Sequence, residues 1–146
     1  MVRYTRALDE TNHHNSFVQL WSLLEHLTST LHDTYDKTIK RTAFLYEDVD
    51  YHFSILDHLR RHRNQIVHTG SNNDFTEHLV CQTKFYVDEL IEFHLANHYS
   101  FSSIAEAGEM LDSATEVERL RTDIEKSSHY LNTLESAMKF RKYSKL

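Results

Sequence analysis

The sequence predicts an all-α fold, an antiparallel helical bundle of about five helices forming a single domain over residues 1–146. Three observations carry that expectation. The chain has no proline and two glycines in 146 residues, where average usage would supply about 7 and about 10, so helix breakers are scarce. Apolar residues recur at steps of three and four, and N-cap residues stand in front of several of the periodic runs. The same deficit leaves too few turn residues for a β-sandwich or barrel. It also argues against glycine-rich phosphate loops, because Gly70 and Gly108 stand alone.

Taken in order, residues 1–14 read as a mobile lead-in. A first helix is expected to open near Asn15 or Ser16 and to run through Phe17, Leu20, Trp21, Leu24, Leu27 and Leu31, a stripe of four turns or more. The polar segment from His32 to Asp50 has weak periodicity and reads as a loop with a short helix around Ile39 to Tyr46. A second long helix from about Asp50 carries Phe53, Leu56, Leu59, Ile66 and Val67, with Gly70 as its C-terminal stop. Asp74 is a candidate N-cap for a third, through Leu79, Val80, Val87, Leu90, Ile91 and Leu95. Ser103 to Glu106 fits a capping box for a short fourth helix, and Ser113 to Glu116 fits another for the last. That last helix spaces Val117, Leu120, Ile124, Leu131, Leu134 and Met138 by three, four and seven, interrupted at Ser127 and Ser128.

Sixteen basic against twenty-two acidic residues leave a net charge of −6, the wrong sign for duplex DNA binding through bulk charge. A single cysteine, Cys81, makes no internal disulfide and fits a reducing compartment; placed mid-helix, it is expected to be buried. No apolar run approaches the ~18 residues of a membrane span, and the N-terminus lacks a signal peptide's apolar core. The expectation is a soluble cytoplasmic protein with no membrane partner.

Chemistry concentrates at the end of the second long helix, where Asp57 to Gly70 holds three arginines and three histidines. Arg63 and His68 are the pair suited to RNA cleavage without a metal. A group near pKa 7 can move the 2′-hydroxyl proton, and a planar cation can stabilise charge building on the phosphate. Five steps of about 100° put them about 140° apart on an ideal helix, so a shared site needs either a loosened helix end or a second copy. On spacing alone, cations completing a helix terminus are the commoner reading.

The run Arg63-Asn64-Gln65-Ile66-Val67-His68 resembles the RNxxxH form of the Rx4–6H motif of HEPN domains. Upstream, Arg6-Ala7-Leu8 and the stretch from Ser16 through Trp21 and Glu25 to Leu27 resemble the first helix of the HEPN domains that close ApeA-type phage-defence proteins. The resemblance covers roughly residues 3–100. It implies a two-fold homodimer whose motifs face each other across a cleft, acting as a metal-independent endoribonuclease with no cofactor. The products would be 2′,3′-cyclic phosphate and 5′-hydroxyl ends, and the role that of a toxin or anti-phage effector. Carried onto this chain, Arg63 and His68 are the catalytic pair and Asn64 their positioning neighbour. Glu25 either orients that pair or is a half-exposed acid beside Trp21. The alternative is a non-catalytic HEPN-type dimerisation or ligand-binding module in a larger defence system. The position two residues after the histidine, a tyrosine in members controlled by AMP attachment, is Gly70 here, which argues against that control while leaving an antitoxin or a fused sensor domain as an expected partner.

Arg60, Arg61, Lys40 and Arg41, with Lys37 and the tail from Lys139 to Lys145, are the basic residues available to an RNA backbone. For the tail, complementing a helix dipole is the commoner role. His58 and His62, like His94 and His98, stand four apart, a spacing that offers two metal ligands on one helix face. No HExxH or nucleophile motif accompanies them, and no metal is expected.

Overall fold

A computed structural model describes residues 2–31, 33–69 and 76–143, with the side chains of His68, Thr69 and Tyr143 outside that description. Among the described residues there are seven helices and no strand, so the all-α expectation holds and the count of about five falls short. The chain divides into two compact units, Met1–Asp112 and Ser113–Leu146.

The expected lead-in is a helix, α1 (Val2–Asp9), docked on α2 (His13–Leu27). Its buried anchor is Ala7, fully enclosed, whose carbonyl accepts a 2.7 Å bond from Ser16 Oγ. Tyr4 adds a hydrogen bond to Asp88. A helix whose one fully buried side chain is alanine presents no apolar stripe. α2 starts earlier than Asn15 because Asn12 is the cap, its Oδ1 accepting from His14 N at 2.9 Å and Asn15 N at 3.2 Å. It ends at Leu27, leaving Leu31 outside the helix and exposed. Phe17, Leu20, Trp21 and Leu24, one face at helical spacing, are essentially fully buried.

The polar segment folds into α3 (Tyr35–Ala43), several residues ahead of the expected Ile39–Tyr46. It buries Ile39 and Ala43, but also Thr38, Arg41 and Thr42. Hydroxyls link Thr28, Thr30 and Thr38 at 2.9 and 2.6 Å, so these buried polar groups satisfy one another.

The two long helices lie as expected: α4 (Val49–Thr69) and α5 (Thr76–Ala96). The proposed stop at Gly70 and cap at Asp74 fall outside the described residues. α4 packs on α3 and α5 packs on α2, and α5 buries Leu79, Tyr86, Val87 and Leu90. Cys81 is exposed rather than buried. It lies two residues from both Leu79 and Thr83, about 200° around the helix from that buried face. α6 (Ile104–Leu111) opens as the capping box predicts, with Ser103 Oγ accepting from Glu106 N at 3.1 Å. The return bond is displaced by one residue, Ser102 N donating to Glu106 Oε2 at 2.8 Å.

The second unit is dominated by α7 (Val117–Tyr143). Its first turn closes through Leu120 N to Glu116 O at 3.1 Å, so the Ser113–Glu116 box precedes the helix instead of capping it. No helix among the described residues is long and apolar enough to cross a membrane.

Candidate functional site

α4 is helical without interruption through both Arg63 and His68. The helix does not loosen before its end, and the angle of about 140° between the two positions stands. The His68 side chain lies outside the described residues, so the geometry of the predicted pair is described from the arginine.

The three arginines of α4 have different surroundings. Arg61 is exposed and reaches Asp57 at 2.7 Å. Arg60 is held between Asp57 at 2.5 Å and Asp36 at 3.2 Å. Burial opposes ionisation of Asp57, but the charges and hydrogen bonds of Arg60 and Arg61 outweigh it and hold the carboxyl below its usual range. Both arginines are therefore largely neutralised.

Arg63 is not. Its partly buried guanidinium donates from Nη1 to the Tyr35 hydroxyl at 2.8 Å and to Asn64 Oδ1 at 3.3 Å. It also lies 5.0 Å from the centre of the Tyr35 ring, within cation–π range. No carboxylate among the described residues comes within ion-pair distance of it. Its Nε is buried with no hydrogen-bond partner there. A guanidinium oriented by neutral groups keeps its full charge for an incoming anion. Tyr35, the first residue of α3, is the site residue that sequence reasoning missed. It sits in a segment read as a loop, and no spacing links it to Arg63.

Asn64 thus stands beside the arginine. Glu25 lies beside Trp21: its Oε1 accepts from Trp21 Nε1 at 3.0 Å, satisfying the one polar atom of the largest core side chain. Of the cations assigned to an RNA surface, Lys40 and Arg61 are exposed. Arg41 corrects the expectation. It is 4% exposed, donates from Nε to Asp112 Oδ1 at 2.7 Å and from Nη1 to Thr28 O at 2.5 Å, and ties α3 to the end of α6. A buried cation already paired with a carboxylate has neither the free charge nor the access that a phosphate needs.

His58 and His62 approach each other at 3.1 Å between Nε2 atoms. Burial, aided by the neighbouring ring, pushes the His62 imidazole below its usual value. No group of three metal-ligating side chains occurs among the described residues. A cleft of about 490 Å³ opens elsewhere, among Tyr4, Leu23, His26, Leu27, Ile91 and His94. Its lining is mostly apolar and includes His94 of the His94/His98 spacing, but neither Arg63 nor Asn64. No family model, curated protein or solved structure matches the chain.

Proposed function

We propose that the chain is a metal-independent endoribonuclease of the HEPN type, working as a homodimer in which Arg63 of one copy and His68 of the other act on one phosphodiester. The observation that carries the proposal is the contrast within α4. Arg60 and Arg61 are neutralised by carboxylates, while Arg63 is oriented by a phenol and an amide that leave its charge available. Cations that only complete a helix terminus would not require that difference. The unbroken helix through residue 69 adds a second argument: side chains about 140° apart converge on one phosphate far more readily when two copies face each other.

In the reaction, the 2′-oxygen attacks the adjacent phosphorus as His68 takes its proton. The bond from phosphorus to the 5′-oxygen breaks, and that oxygen leaves with the proton that the His68 imidazolium gives back. Arg63 stabilises the negative charge that builds on the non-bridging oxygens, the role in which a preorganised cation contributes most. The ends produced are a 2′,3′-cyclic phosphate and a 5′-hydroxyl. Such an activity in a cell is that of a toxin or anti-phage effector.

The test is cleavage of single-stranded RNA in EDTA by the wild type, Arg63→Ala and His68→Ala. Loss of one preorganised charge-stabilising donor costs on the order of 10²–10³-fold in rate, so both variants should be silent beside an active wild type. Co-refolding the two variants restores one intact cleft per mixed dimer, and activity should return to roughly a quarter of wild type by statistical pairing. A wild type that leaves RNA intact would replace this reading with the non-catalytic binding module.

A further inference from the structure

Helix α7 carries an apolar seam with a 3.5-residue repeat. Val117, Ile124, Leu131 and Met138 recur every seven residues, with Leu120, Ser127, Leu134 and Arg141 three residues after each. The seam is exposed at Val117 and from Ile124 onward, with Leu120 half-buried: Ile124 is 65%, Leu131 60%, Leu134 47% and Met138 53% accessible. A run of exposed apolar residues at coiled-coil spacing marks an interaction surface.

We propose that this seam is covered by α7 of a second copy of the chain, lying antiparallel. Size complementarity and charge choose this occupant and its direction. Parallel pairing would stack Ser127 on its counterpart in the middle of the seam and Arg141 on its counterpart at the end, giving one underfilled layer and one like-charge layer. Antiparallel pairing sets Ser127 against the partner's Leu131, Ile124 against the partner's Leu134, and Leu120 against the partner's Met138. Each small or medium residue then meets a large one. Arg141 falls at the mouth of the seam, opposite the partner's Val117 and beside the partner's acidic Glu116 and Glu118.

Charge follows the same direction. From Glu116 to Ser128 there are four acidic and three basic residues, and from His129 to Tyr143 one acidic and three basic. Antiparallel helices bring these opposite halves together and also oppose their dipoles favourably. Beside the seam, Arg121 lies across from the partner's Glu135. Its present contact, Glu118 Oε1 at 3.1 Å on its own helix, is exposed and readily exchanged. The pairing does not depend on any ribonuclease activity.

The test uses the full chain with Cys81→Ser, and Ile124→Cys and Leu134→Cys as separate variants, co-expressed or alone, treated with a short bismaleimide. On an antiparallel seam the two copies of Ile124 lie ten residues apart along the axis, roughly 15 Å, beyond the linker's reach. The co-expressed pair should therefore cross-link and each variant alone should not. Cross-linking of Ile124→Cys with itself would show a parallel pair and overturn the proposal. So would a mixture that fails to cross-link, as expected if α7 is covered by its own chain or left bare. Leu120→Glu with Leu131→Glu, whose helix content is checked by circular dichroism, should abolish the mixed cross-link. Its persistence would equally overturn the seam. The readout needs no RNA, so it succeeds or fails apart from the cleavage assay.

Discussion

Arg41 and Arg63 lie on neighbouring helices, and each anchors its Nη1 on an oxygen of another segment, yet their surroundings give them opposite uses. Arg41 is enclosed, with a two-pronged carboxylate partner in Asp112 and a backbone carbonyl at Thr28. Gly108 completes the enclosure, since a Cβ there would stand 2.4 Å from Arg41 Nη1 and 3.2 Å from Thr28 O. Arg63 is half-buried, is held by Tyr35 and Asn64, and faces no carboxylate among the described residues. The difference teaches that a cation's role follows from what neutralises it. A carboxylate makes the arginine part of the framework, whereas a phenol and an amide fix its direction and leave its charge to a ligand.

The comparison breaks most visibly at Arg41→Ala. It strips Asp112 of its two-pronged partner, leaving Lys37 at 3.9 Å, and leaves Thr28 O without the Arg41 donor, and we expect a loss of about 3 kcal/mol in urea unfolding. Arg63→Ala, by contrast, removes the bonds to Tyr35 and Asn64 but leaves no carboxylate without its cation, and should cost about 1 kcal/mol; equal losses would erase the distinction. Gly108→Ala is next, at about 1–3 kcal/mol, because the methyl displaces a guanidinium that has nowhere else to go. A smaller effect belongs to Tyr35→Phe, which keeps the ring and removes one part-buried hydrogen bond worth about 0.5 kcal/mol. RNA cleavage should fall roughly tenfold with the urea midpoint nearly unchanged; a fall in stability alone would make Tyr35 merely structural.

The smallest effect is in the acid limb. Hydrogen bonding and charge from Arg41 hold the Asp112 carboxyl below its usual range, against an opposing contribution from burial. A carboxyl depressed in the folded state stabilises fully above its unfolded pKa of about 4, and that contribution is lost as pH falls through the folded value. Asp112→Asn should therefore flatten the decline in urea midpoint below about pH 4 relative to wild type, modestly because the side chain is 41% exposed.

Legibility in the sequence tracked the chemistry of each buried face. α2, α4 and α5 bury aliphatic and aromatic side chains at helical spacing, so their existence and rough limits could be read directly. α3 buries Thr38, Arg41 and Thr42, and a helix whose inner face is polar shows no apolar stripe. α1 buries only Ala7. The site divided in the same way. Arg63 and Asn64 stand out as a local motif, while Tyr35 comes to Arg63 across 28 positions, a distance along the chain that only packing closes. Glu25 shows the converse, an acid within the first-helix pattern whose recorded side-chain bond goes to Trp21.

The sequence by itself determined that this chain is helical. Breaker scarcity and three-four periodicity act within one segment, and each helix's backbone bonds close within that same segment. Tertiary structure alone decided which of the charged residues are framework and which remain available. Neutralising or burying a charge requires groups from another helix, and which groups arrive depends on how α3 meets α4 and α6.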